Sequence, residues 1–107
     1  MAVTIVSYEE QTRGWLAYVA RARTLGQQVE AYRRLRRHLD VYRTAKVLDF
    51  DEQAATQFQR LKQARLGVGT MDLRIAAIAL IHDATVLTRN AVDFGKVPKL
   101  QIEDWTV

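Results

Sequence analysis

Cysteine is absent from the 107 residues, so neither a disulfide nor a thiolate metal site is open to this chain. Its two histidines, His38 and His82, lack the HxxxH-type spacing of a zinc site. No apolar run approaches the roughly 20 residues that a membrane-spanning helix needs. The first residues do not show the basic-then-apolar order of a secretory signal. Low-complexity segments, internal repeats and a dividing linker are missing too. These absences exclude a disulfide scaffold, a Cys/His zinc module, a helical membrane protein and a repeat array. They predict one domain, without membrane association, in a reducing cytoplasm.

What is present is an ordinary globular balance, 49% apolar and 26% charged. The net charge of +4 and an isoelectric point near 9.8 favour polyanionic partners. Met1 to Ser7 is rich in β-branched residues and predicts a strand buried on both faces. Ser7 then predicts a helix cap, with Glu10 closing an S-x-x-E capping box. A helix follows with Trp15, Leu16, Val19 and Ala20 at helical spacing, and Gly14 within it predicts a close backbone approach. The next helix sets Leu25, Val29, Tyr32, Leu35, Leu39 and Tyr42 in one apolar stripe. Its other face is basic, with Arg33, Arg34, Arg36, Arg37 and Arg43. That face suits solvent, phosphates or an acidic partner equally well.

Further on, Val47 to Phe50 reads as a short strand, and Asp51 as the cap of a helix burying Ala54, Phe58 and Leu61. A loop with Gly67 and Gly69 leads to a nearly all-apolar helix from Met71 to His82. Then come a strand, Thr85 to Thr88, a helical turn around Val92–Phe94, and a last strand from Leu100 to Trp105. Strands alternating with helices predict an α/β fold with a three-layer parallel sheet. Ligand sites in such sheets lie beyond the carboxyl ends of the strands. Glu10, Asp72 and Asp93 fall there by chain order, with Thr88 and Asn90 beside the last.

Three converging carboxylates with no balancing lysine nearby would repel one another, and a hard divalent cation relieves that repulsion. Mg²⁺ or Mn²⁺ in such a site can support attack of water on a phosphodiester. Asn90 can position substrate, and Thr88 can support a neighbouring carboxylate. The same residues also suit plainer work, since Asp72 and Asp93 are good helix caps and Asn90 is a good turn residue.

From Ser7 onward the motifs Ser7-x-x-Glu10-x-x-x-Gly14, Gly69-x-x-Asp72-x-x-Ile75-Ala76-Ala77-x-Ala79, Thr88-x-Asn90-x-x-Asp93-Phe94 and Leu100-x-x-x-x-Trp105 run through nearly the whole chain. Together they resemble a PIN domain, specifically the VapC-like toxin ribonucleases of type II toxin–antitoxin systems. The resemblance implies Mg²⁺- or Mn²⁺-dependent endonucleolytic cleavage of RNA and an antitoxin partner. It places Glu10, Asp72 and Asp93 at acidic, metal-binding active-site positions, and Thr88 and Asn90 at supporting polar ones.

One departure matters. The family opens with a central strand ending in an aspartate within a Leu-Asp-Thr-Asn-like motif, and neither occurs here. The expectation is a single PIN-like domain over residues 1–107, truncated at its N-terminus, with weak or absent cleavage. Sheet edges left open by the missing strand predict homodimerisation. The alternatives are a non-catalytic PIN remnant that binds antitoxin or RNA, and a basic α/β module whose carboxylates only cap helices.

Overall fold

The computed structural model describes residues 2–88 and 90–104. The chain divides into two compact units, Met1–Leu48 and Asp49–Val107. Among the described residues, no helix is long and apolar enough to cross a membrane.

The first unit pairs a short strand β1 (Ala2–Thr4) in parallel with β2 (Lys46–Leu48), with Val3 opposite Val47. Between them run helix α1 (Ile5–Arg21) and helix α2 (Leu25–Thr44), packed against each other. The strand is shorter than its β-branched composition predicts. Thr4, not Ser7, caps α1: its Oγ1 accepts the Ser7 backbone N–H at 2.9 Å. That cap starts the helix three residues early, and Val6 turns from strand residue into helix core. Glu10 consequently has no capping work and lies exposed on α1. A genuine capping box stands instead at α2, where Thr24 and Gln27 bond each other's backbone N–H reciprocally.

The expected apolar stripe of α2 is only partly buried, at Tyr42 and, half-buried, at Leu35. Ala31, His38 and Tyr42 are buried, whereas Leu25 is 80% exposed and Val29, Tyr32 and Leu39 are exposed as well. The interior of this unit is aromatic and hydrogen-bonded. Tyr8 stacks on His38 with ring centres 5.5 Å apart, and Tyr42 meets both edge-on. Thr12 Oγ1 lies 2.9 Å from His38 Nε2, and the Tyr42 hydroxyl donates to Gln11 at 3.0 Å. Directional contacts of this kind outweigh the count of leucines when a helix selects its inner face. Gly14 also departs from expectation, because a Cβ there would meet nothing within 4 Å.

The second unit comprises α3 (Glu52–Gln63), α4 (Thr70–Ile81), β3 (Thr85–Thr88), α5 (Ala91–Phe94) and β4 (Gln101–Asp104). Asp51 caps α3 as predicted, accepting the Ala54 N–H at 2.9 Å. Helix α4 is the core: Leu73 and Ile75 to Ala79 are all buried, with Ala76, Ala77 and Ile78 fully so. Its alanines let α3 approach closely. The turn that follows uses a left-handed Asp83, φ 52°, and returns the Ala84 N–H to the Ala79 carbonyl at 2.8 Å. Strand β3 then runs parallel to β4, Val86 opposite Ile102 and Thr88 opposite Asp104. Trp105, the predicted end of that last strand, lies outside the described residues, as does Met1 at the start of the first. The fold is α/β with parallel strands as expected, and among the described residues the strands form two two-stranded parallel ladders, β1–β2 and β3–β4.

Candidate metal and phosphodiester site

Strand β3 ends at Thr88, whose side chain is buried and whose Oγ1 accepts the Asn90 backbone N–H at 2.8 Å. This bond anchors the backbone where the chain leaves the strand. The hydroxyl thereby positions Asn90, and among the described residues it makes no hydrogen bond to a carboxylate.

With its backbone so held, Asn90 directs its amide at both nearby acids. Nδ2 donates to Asp93 Oδ2 at 2.8 Å and, less closely, to Asp72 Oδ2 at 3.4 Å. Asp72 sits in the first turn of α4, one face of which is locked into the core, and Asp93 sits within α5. Two carboxylates, one from α4 and one from α5, are therefore joined by the amide nitrogen of the residue that precedes α5. A cation adds to the group. Lys96 Nζ lies 3.4 Å from Asp93 Oδ1, one helical turn beyond it.

Lys96 corrects the expectation that no lysine balances these acids. Its three-residue spacing from Asp93 is the signal that identifies it in the sequence. The capping alternative fails for both aspartates. Gly69 is the N-cap of α4 and Asn90 that of α5, and neither helix start carries a side-chain cap bond. Gly95 closes α5 tightly. A Cβ there would stand 2.9 Å from the Ala91 carbonyl oxygen, so the approach requires glycine.

The two acids are driven in opposite directions. Burial raises the Asp72 pKa, the neighbouring Asp93 charge raises it further, and the Asn90 bond opposes both. Asp93 is lowered, first by the Asn90 hydrogen bond and then by Lys96. Asp93 is the group that stays ionised to lower pH, and Asp72 is the one with charge left uncompensated.

Hard oxygen donors in that state suit Mg²⁺ or Mn²⁺, which is commonly held by one or two carboxylates with the remaining positions filled by water. The donor set thus fits such an ion through Asp72 and Asp93. Among the described residues, no group of three or more His, Cys, Asp or Glu side chains is placed to hold a metal. Glu10 belongs to the first unit, and its carboxylate makes no hydrogen bond or ion pair among the described residues.

A family model described as PIN domain matches residues 3–100. The chain is 31% identical over 72 residues to Ribonuclease VapC2 of Rickettsia felis, covering 63% of this chain and 54% of that protein. It is 43% identical over 63 residues to the tRNA(fMet)-specific endonuclease VapC of Salmonella typhimurium, covering 55% of this chain and 48% of that protein. The chain spans about half the length of these curated relatives. A crystal structure of VapBC-5, a member of the VapBC family of toxin–antitoxin systems from Mycobacterium tuberculosis, superposes with a TM-score of 0.65 at 27% identity. That match covers 99% of this chain and 81% of the other.

Proposed function

The chain belongs to the PIN-domain family, and from that premise we propose that it is a VapC-like endoribonuclease dependent on Mg²⁺ or Mn²⁺, the toxin component of a toxin–antitoxin pair. The observation that carries this reading is the Asn90 amide bonded to both Asp72 and Asp93. Relatives named as a ribonuclease and a tRNA-specific endonuclease support RNA as the substrate class. A toxin–antitoxin neighbour of the same fold supports an antitoxin partner. The family match crosses both units, which supports one PIN-like domain. Cytoplasmic location and a homodimer complete the proposal.

Asp72 and Asp93 would hold the ion, with Glu10 the proposed third acid. The ion, when bound, supplies Lewis acidity and charge compensation toward a phosphodiester. Asn90 keeps Asp93 in one orientation and shares its second contact with Asp72, so the two carboxylates stay together against their repulsion. Thr88 fixes the backbone from which that amide reaches. Lys96 offsets the negative charge on the Asp93 side and can meet a substrate phosphate by exchanging its partner. Turnover is proposed to be slow, because the Leu-Asp-Thr-Asn-like motif with the family's first acid does not occur in this sequence.

Incubating labelled single-stranded RNA with the full chain and Mg²⁺ tests this. Slow cleavage is expected, lost in EDTA and in Asp93→Asn. Cleavage that survives either change, or no Mg²⁺-dependent cleavage at all, overturns the enzymatic reading.

A further inference from the structure

The basic face of α2 is not uniform. Arg36 and Arg43 share Asp40, each at 3.3 Å, and are exposed, paired side chains. Arg34 and Arg37 instead point into the groove that α2 makes with α1. Three adjoining hollows run along α1, the first and third shared with α2 and the middle one lined by α1 alone. One of about 260 Å³ is lined by Gln11, Trp15, Arg34 and Arg37 among others. The next, about 410 Å³, shares Gln11 and Trp15 with it and continues to Tyr18 and Arg21. The third, about 280 Å³, shares Tyr18 and Arg21 in turn. Gly14 lines the middle hollow, and its missing side chain leaves that space open.

Along the groove aromatic and cationic groups alternate. Trp15 meets Tyr18 edge-on with centres 5.9 Å apart, both rings half-buried, and the Arg34 guanidinium lies over the Tyr18 ring at 5.4 Å. Arg34 also bonds Glu30 at 3.0 Å. Among the described residues Arg21 and Arg37 form no salt bridge, and no acid lines any of the three hollows. Half-exposed aromatic faces interleaved with guanidinium groups, of which Arg21 and Arg37 form no salt bridge among the described residues, are what single-stranded nucleic acid requires. Bases stack on the rings and phosphates meet the arginines.

We propose that the α1–α2 groove is a binding track for single-stranded RNA, with Trp15 and Tyr18 as base platforms and Arg21, Arg34 and Arg37 as phosphate contacts. The identity of the ligand rests on the ribonuclease reading; the groove shares no residue with the carboxylate pair. An acidic peptide offers the charge but no flat bases for the rings, and double-stranded RNA offers charge with its bases already stacked.

The test is fluorescence anisotropy of a labelled single-stranded 12-mer oligouridylate with the full chain in EDTA, so that binding is read without cleavage. Trp15→Leu is expected to weaken binding about tenfold or more, and Trp15→Phe to retain it within about threefold. Arg37→Gln is expected to weaken binding and reduce the slope of log affinity against log salt by about 0.7. Gly14→Leu strengthens the helix while filling the middle hollow, so loss of binding in a more stable protein marks the groove itself. Binding unchanged in Trp15→Leu and Gly14→Leu overturns the proposal. So does equal, Trp15-dependent binding of a polyglutamate peptide or of duplex RNA of the same length. Asp93→Asn separates the two readings. Lost cleavage with intact oligouridylate binding supports both, whereas cleavage that persists in Asp93→Asn while groove variants lose RNA removes the catalytic assignment alone.

Discussion

The two units are built on opposite kinds of interior. In Asp49–Val107 the core is one dry, alanine-rich helix, and the polar groups stand at its first turn and at the end of β3. In Met1–Leu48 the interior is a hydrogen-bonded aromatic cluster around a buried histidine, and the large apolar side chains of α2 face outward. The difference separates two tasks. A rigid, close-packed helix can hold Asp72 in a fixed place against the repulsion of Asp93. A hairpin with a thin polar interior keeps rings and guanidinium groups available at its surface.

The largest expected effect breaks the first of these. Asp93→Asn should lower Mg²⁺-dependent RNA cleavage by roughly 100-fold or more, and Asn90→Ala by about 10–100-fold, the scale set by groups that orient ligating carboxylates. Rates against wild type on the same RNA give the answer. A wild-type rate in Asn90→Ala would mean that the bridging amide is dispensable.

Next in size is the core itself. Ile78 is fully buried, and Ile78→Ala should cost about 2–5 kcal/mol, read from urea unfolding. A loss below about 1 kcal/mol would show that α4 is not the close-packed element described above.

The first unit offers a smaller, pH-dependent effect. Burial lowers the His38 pKa below its ordinary value, so the fold favours the neutral ring. Its partners Tyr8, Thr12 and Tyr42 are uncharged at neutral pH and give the ring no charge to pair with. Because the folded pKa is depressed, the unfolded chain binds this proton first. The stabilisation is present above the ordinary histidine pKa of about 6.5 and is lost as pH falls through the lower folded value. His38→Phe should flatten that part of a melting-temperature profile, and an unchanged slope would place the titration elsewhere.

The aspartates give a contrast of sign. Asp72 is raised, so its ionised form opposes folding at neutral pH, and Asp72→Asn should raise the melting temperature. Asp93 is lowered, so its contribution is present above the ordinary aspartate pKa and is lost as pH falls through the lower folded value. Asp93→Asn should lower the melting temperature. The smallest effect is Gly14→Ala, a gain of up to about 1 kcal/mol, since no neighbour opposes the added methyl.

Much of the second unit was legible in the sequence because its signals are local. The Asp51 cap, the apolar run of α4, strand β3 and the spacing of Asn90 and Asp93 are each set by residues close in the chain. In the first unit the deciding contacts are remote. Thr4 and Ser7 are equally good caps by type, and only the pairing of β1 with β2 favours the earlier one. Of the apolar stripe of α2 only Tyr42 is buried, and the inner face is completed by His38, which the stripe did not include; both are held through partners 26 and 31 residues away. Periodicity measures the hydrophobicity of a face and carries no information about a tyrosine hydroxyl that finds a glutamine on another helix.

The most direct test of the carboxylate pair is a calorimetric titration of Mn²⁺ into the wild-type chain, Asp72→Asn and Asp93→Asn at neutral pH. Saturable binding by the wild type, weakened in both variants and lost on acidification as Asp72 takes up its proton, is the predicted result. Equal and negligible binding in all three proteins would contradict the assignment of this site to a divalent cation.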